Sequence, residues 1–301
     1  MRVAAIGECM IELSEAGQGL MAMSFGGDTL NTAIYLARCG AAVDYVTALG
    51  DDPYSAGMLE AWRAEGVGTG LVSIMPGRVP GLYAIRRDGK GERSFYYWRD
   101  RSPARELFDT AGPELDDRLL AFDILYTSGI SLSIYSEAGR GRLYGLFDRL
   151  RAQGGHVVFD GNYRPRGWPG PESARAAFET VLRRAAFAFP TFEDEAVLFG
   201  DADPAVTAGR IAGYGVKEVV VKNGAGPCTI RIAGDVTSVP AETDVRPIDT
   251  TAAGDSFNAA YLAARLSGSA PREAALRAHR LAADVIRHPG AIMPRSGSFV
   301  Y

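Results

Sequence analysis

Short apolar runs alternate with amphipathic segments over most of the chain, and this alternation constrains the fold more than any other feature. It begins with RVAAIG, TLNTAIYLARCG, VDYVTALG and YSAGMLEAWRAEG. It resumes with FDILYTSGI, RLYGLFDRLRAQGG, HVVFDGN, SARAAFETVLRRA, FAFPTF and EVVVKNG, and closes with the helical patterns GDSFNAAYLAARLSG and REAALRAHRLAADVIRH. Strand then helix, repeated, predicts an α/β fold: a mostly parallel sheet covered by helices. Two segments break the rhythm. Residues 10–25 carry no helical pattern, and residues 79–100, VPGLYAIRRDGKGERSFYYWRD, read as two strands joined by a glycine-containing turn. Tyr83, Tyr96, Tyr97 and Trp98 are expected on one face of this ribbon and Arg86, Arg93 and Arg99 on the other. No repeat, low-complexity tract or linker divides the chain. One domain over residues 1–301 is therefore expected, with a small β lid formed by about 10–25 and 75–100.

Composition removes several function classes. Of 301 residues 47% are hydrophobic and 23% charged, which is ordinary globular composition. The net charge is −4, with acidic and basic residues interleaved, so no basic stripe exists for nucleic acid. Cys9, Cys39 and Cys228 are too scattered for a disulfide framework or a zinc site, and reduced thiols are expected. MRVAAIGECM is too soon interrupted by Glu8 to be a signal peptide, and no run approaches membrane-spanning length. A soluble, cytoplasmic protein is the expectation. His156, His279 and His288 lie in no metal-ligand spacing. There is no G-x-S-x-G elbow, Gly89-Lys90 is followed by Gly91 where a P-loop needs Ser or Thr, and the first strand leads into GECMIE instead of G-x-G-x-x-G.

A phosphate could still be held near the C-terminus. In PIDTTAAGDSFNAAYL, residues 247–262, Ala252, Ala253 and Gly254 carry almost no side chain where a helix starts. Their N–H groups are expected to point outward with the positive end of the helix dipole, forming an anion hole of backbone. Asp255 lies in the same turn, where the dipole is expected to lower its pKa and keep it ionised. Such a carboxylate can accept a proton from a hydroxyl while the donors stabilise a transferring phosphoryl group. Taken alone, an aspartate in a first turn is more often a helix cap than a catalytic group.

The stretch DTTAAGD resembles the C-terminal signature D-T-x-G-A-G-D of the ribokinase-like (PfkB) carbohydrate kinases, with Ala252 where glycine is common. A methyl there leaves the backbone donors in place. FGGDTLNTAIYLARCG, followed by Gly50-Asp51-Asp52 and Gly57, is similar to the family's N-terminal signature, and the resemblance covers essentially the whole chain. IGECMIELSE, PGLYAI, GERSFYYWR, SGISL, FDGNYRPRGW and EVVVKNGA resemble family members that act on 2-dehydro-3-deoxygluconate. The resemblance implies a ribokinase-like three-layer sandwich with a β-stranded lid. It also implies transfer of the γ-phosphoryl group of ATP, with Mg2+, to the 6-hydroxyl of that sugar acid. A neutral-sugar kinase, acting on fructose for example, or a non-catalytic sugar-acid sensor stays open as an alternative.

The resemblance places the catalytic base on Asp255 and the anion hole on Ala252, Ala253 and Gly254. A sugar acid calls for fixed cations, and Arg99 and Arg164 match substrate contacts. Arg164 follows a strand end, where α/β sheets bind ligands. Gly27, Asn31, Tyr83, Tyr96 and Ile130 complete the implied substrate set, while Tyr97 is balanced between a sugar contact and an aromatic cluster within the ribbon or at a subunit interface. Lys222, Gly224, Gly226 and His279 are implied for ATP. The family's N-x-x-E motif falls on Thr191 and Asp194, an indirect metal contact, and Asp249 with Thr251 is implied for a monovalent cation such as K+. Association of copies through the β lid, a homo-oligomer, is also expected.

Overall fold

The computed structural model describes residues 1–17, 19–87 and 93–295. The glycine-containing turn of the predicted ribbon, Asp88-Gly89-Lys90-Gly91, lies outside the described residues.

Among the described residues the strands are β1 (Arg2–Ile6), β2 (Met10–Gly17), β3 (Leu20–Gly26), β4 (Ala42–Gly50), β5 (Gly68–Met75), β6 (Leu82–Arg87) and β7 (Arg93–Trp98). They continue with β8 (Ile124–Ser128), β9 (His156–Asp160), β10 (Ala185–Ala188), β11 (Glu218–Val221), β12 (Cys228–Ile232) and β13 (Asp235–Val239). Nine form one sheet in the order β13-β12-β11-β10-β9-β8-β1-β4-β5. From β5 to β11 neighbours are parallel, and β12 and β13 add an antiparallel edge. Alternation along β1 sends Val3 and Ala5 into one core and Ala4 and Ile6 into the other. Helices Asp28–Arg38, Ala253–Leu266 and Pro271–Val285 pack on the first face, and Glu137–Ala152 and Pro171–Leu182 on the second. The result is the expected three-layer architecture with ribokinase-like topology, and no helix among the described residues is long and apolar enough to cross a membrane.

The segments that broke the rhythm form a second sheet, ordered β3-β2-β6-β7. Its register pairs Tyr83 with Tyr97 and Ile85 with Phe95, and, on the alternate positions, Leu82 with Trp98 and Ala84 with Tyr96. Because side chains alternate, aromatic groups occupy both faces, which corrects the expected segregation of aromatics from charges. One face holds Tyr83, Phe95 and Tyr97 as a ring cluster. The other begins packed on the body through Phe25 against Trp62 and ends with Met21, Met23, Tyr96 and Trp98 exposed.

Candidate active site

The parallel run β11-β10-β9-β8-β1 ends along one edge of the sheet, and several candidate residues stand at or just beyond those ends. Glu8 follows β1, Asp160 closes β9 and Lys222 follows β11. The loop that starts helix Ala253–Leu266 is fastened nearby. Ile248 N–H and Asp249 N–H donate to the Ile286 carbonyl (2.7 and 3.2 Å), and the Asp249 carboxylate accepts from Thr251 N–H (2.9 Å) and Gly290 N–H (3.1 Å). Both oxygens of Asp249 thus accept from backbone N–H groups, which ties down the loop on which the cation role was implied for Asp249 and Thr251.

The turn itself departs from a simple helix start. Ala252 has φ 61° and ψ 14°, the left-handed region, where an L-residue is disfavoured by about 1–2 kcal/mol. Glycine's common occurrence at this place has its reason there, and the extra methyl is a conformational load on the loop. The Ala253 N–H is turned to the Thr250 carbonyl at 3.3 Å, whereas Gly254 and Asp255 N–H have no acceptor among the described residues. Ala252 N–H likewise has no acceptor among the described residues, so of the expected Ala252-Ala253-Gly254 set only Ala253 is engaged, and Asp255 N–H adds a further free donor. Gly254 has a second role: a methyl on it would lie 3.3 Å from the Lys222 ammonium.

Around this turn four buried or half-buried groups share one enclosure. Asp255 accepts from Asn31 Nδ2 at 2.8 Å. Lys222 Nζ donates to Asp160 at 3.0 Å, and the other Asp160 oxygen accepts from Asn258 Nδ2 at 2.9 Å. Asn162 Nδ2 donates to Asp28 at 2.9 Å. Burial is the main force on Asp255, followed by repulsion from Asp28, and together they push its carboxyl up to about 8 against the pull of Asn31 and Lys222. The sequence suggested the opposite direction. The helix dipole acts within one turn, but three carboxylates around a single ammonium in a dry pocket outweigh it. Asp28 is raised by the same enclosure.

Beside this pocket lies a cavity of about 480 Å³ under the second sheet. The predicted Gly27, Arg99, Ile130 and Arg164 line it, with Tyr97, which the sequence left balanced, and with Glu8, Arg105 and Arg166, which the sequence did not single out. Tyr96 does not reach it, because alternation turns Tyr96 to the far face, 53% exposed, and Tyr97 inward. Tyr83 lies behind Tyr97, with its hydroxyl donating to Glu12. Gly27 is glycine for a local reason: a side chain would collide with the Glu8 carbonyl. Arg99 is met by the buried Glu8 carboxylate, and Arg164 Nη1 donates to Tyr163 O (2.7 Å) and reaches Asp194 at 3.3 Å. Arg105 and Arg166 have no acidic partner among the described residues. Four arginines against three carboxylates leave the cleft suited to an anion.

The remaining predicted residues divide. Gly224, at φ 52°, and Gly226 form the turn after Lys222, and Thr191 bridges to Lys222, so the Asp194 segment does adjoin that turn. Among the described residues no group of three or more His, Cys, Asp or Glu could hold a metal ion. His279 is packed edge-on to Phe257, 5.0 Å between ring centres, with its pKa lowered by burial, and the structure does not bring it to Asp255 or Lys222. Its Nε2 is buried without a partner.

Residues 1–296 match the model of the pfkB family of carbohydrate kinases. The chain is 47% identical to the 2-dehydro-3-deoxygluconokinase of Escherichia coli (strain K12), covering 98% of this chain and 97% of the relative. It is 45% identical to that of Dickeya dadantii (strain 3937), covering 97% and 96%. Among solved structures, a PfkB protein from Polaromonas sp. JS666 superimposes with a TM-score of 0.84 at 26% identity, covering 95% of this chain and 96% of that one.

Proposed function

The chain belongs to the pfkB family of carbohydrate kinases, and from that premise we propose that it transfers the γ-phosphoryl group of ATP to the 6-hydroxyl of 2-dehydro-3-deoxygluconate, giving the 6-phosphate and ADP. The observation that carries this reading is the juxtaposition of Asp255, beside unpartnered backbone donors, with an arginine-lined cleft of a sugar's size.

The sugar acid lies with its carboxylate toward Arg99, Arg105, Arg164 and Arg166 and its far hydroxyl at Asp255. Asn31 holds the Asp255 carboxylate toward the cleft and Ile130 supplies an apolar wall. The hydroxyl gives its proton to Asp255 as its oxygen attacks phosphorus, and a base with a pKa near 8 is matched to that task near neutral pH. Gly254 and Asp255 N–H and the Lys222 ammonium receive the charge that builds on the phosphoryl oxygens. Lys222, Gly224 and Gly226 flank the nucleotide phosphates, and His279 Nε2 is left for the base. Asp194, with Asp160 close by, would hold Mg2+ through hard carboxylate oxygens, and the ion bound with ATP would neutralise phosphate charge. The second sheet acts as the lid that excludes water.

The apolar end of that sheet, with Trp98 63% exposed and Met23 59% exposed, is where two copies associate in the cytoplasm, where the thiols stay reduced. Sedimentation of the parent and of Trp98→Lys tests this: the parent runs as a dimer or larger and the variant as a monomer, and a monomeric parent refutes it.

The reaction is tested by ADP release with 2-dehydro-3-deoxygluconate, fructose and ribose in parallel. Turnover is expected on the keto acid alone, with Asp255→Asn slowed by about 10²–10⁴-fold while nucleotide binding persists. Turnover on fructose in place of the keto acid would reassign the enzyme.

A further inference from the structure

Glu8 has no part in the reaction as described, yet it is only 3% exposed and lines the cleft. It stands on the short connection between β1 and β2, where the chain passes from one sheet to the other. Its Oε2 accepts from Arg99 Nη2, whereas its Oε1 is buried with no partner. Arg99 mirrors this: Nε is buried with no partner, and the guanidinium carbon lies 5.9 Å from the centre of the Tyr97 ring. A methyl on Gly81 would come within 3.1 Å of Glu8 Oε1, 3.1 Å of Arg99 Cβ and 3.0 Å of Met10 Cγ. The pair is therefore packed with no room to spare. Burying a guanidinium and a carboxylate with one hydrogen bond between them is a poor way to gain stability, so the incomplete pairing points to a third polar group that joins them.

We propose that Glu8 is a positioning residue for the phosphoryl transfer: by anchoring Nη2 of Arg99 from the body of the protein, it aims the rest of the guanidinium at the carboxylate of the sugar acid. An arginine side chain loses much rotamer freedom when it binds, and prior anchoring removes part of that loss from the binding step. The carboxylate of Glu8 also supplies the counter-charge of Arg99 until substrate arrives. The proposal rests on the sugar-acid reading above, and it adds a residue on which that reading does not depend.

The test compares kcat and KM for 2-dehydro-3-deoxygluconate in the parent, Arg99→Leu, Glu8→Ala, Glu8→Gln and Gly81→Ala, with ATP KM and thermal unfolding measured alongside. Glu8→Ala is expected to raise KM for the sugar acid about ten- to a hundredfold, with ATP KM unchanged and kcat within about threefold. Glu8→Gln keeps an acceptor oxygen and restores KM to within about threefold of the parent. Gly81→Ala, which displaces the pair without touching its chemistry, raises KM as Glu8→Ala does, and it serves in place of Glu8→Ala if that variant does not fold. A sugar-acid KM that falls in Glu8→Ala and Glu8→Gln alike would show that the charge of Glu8 opposes substrate, and the proposal would be wrong. It is equally overturned if KM stays at the parent value in Glu8→Ala and Gly81→Ala, or in Arg99→Leu. Failure of the reaction assignment looks different, since the parent itself would then not turn over the keto acid.

Discussion

The pocket around Asp255 and the cleft under the second sheet adjoin, yet they are built to opposite electrostatic plans. In the pocket Asp28 and Asp255, each in the first turn of a helix, and Asp160, at the end of β9, gather near one ammonium, that of Lys222. In the cleft arginines outnumber carboxylates, and several stand on half-exposed segments of the lid and of the loop after β9. An excess of buried carboxylates is destabilising and raises their pKa values, whereas arginines at a wet edge cost little. The stored unfavourable charge thus sits at the pocket proposed for phosphoryl and proton transfer, and the cheap charge sits at the cleft proposed to recognise the sugar acid's carboxylate.

That contrast can be broken experimentally. The largest effect on stability is expected from Lys222→Met, which removes the ammonium paired with Asp160. It should slow turnover by about 10²–10³-fold and, by leaving Asp160 buried without its cation, destabilise the fold by about 3–5 kcal/mol in urea titrations. Turnover within tenfold of the parent would mean that the ammonium serves Asp160 alone. A smaller effect, of the opposite sign on stability, is expected from Asp255→Asn. The Asp255 carboxyl titrates near 8 when folded against an ordinary 3.8, so the folded state keeps a proton that the unfolded chain has lost. Its contribution to stability is therefore greatest below about pH 4, falls as pH rises to about 8 and is level beyond. The variant lacks this slope and should melt above the parent at pH 8, by about 2–4 °C for each kcal/mol relieved, with the two curves converging toward pH 5. Parallel curves from pH 5 to 8 would show that the pocket does not hold Asp255 protonated.

Much of the site was legible because its motifs are local. Gly254-Asp255 at a helix start and Arg164 beyond a strand end could be placed from their neighbours in the chain. The misses were of another kind. Tyr96 and Tyr97 are adjacent in sequence, and only the pairing of Tyr97 with Tyr83 decides which enters the cleft. The β12–β13 hairpin went unmarked because its turn, Ala233-Gly234 with φ 51° and 98°, puts alanine where asparagine or glycine ordinarily signals such a turn. Arg105 lies on a short 3-10 turn with no motif of its own, and nothing near it in the chain announces a ligand.

By itself, the sequence determined the α/β alternation, the two-sheet division and the family, and it pointed to Asp255 as the proposed base, since each depends on periodicity or on a few contiguous residues. Only the tertiary structure decided the protonation of Asp255, the face of the lid that meets the cleft and the anchoring of Arg99 by Glu8. Those properties arise from groups far apart in the chain meeting where water is excluded, and electrostatic energy depends on distance in space and on burial, neither of which a local pattern contains.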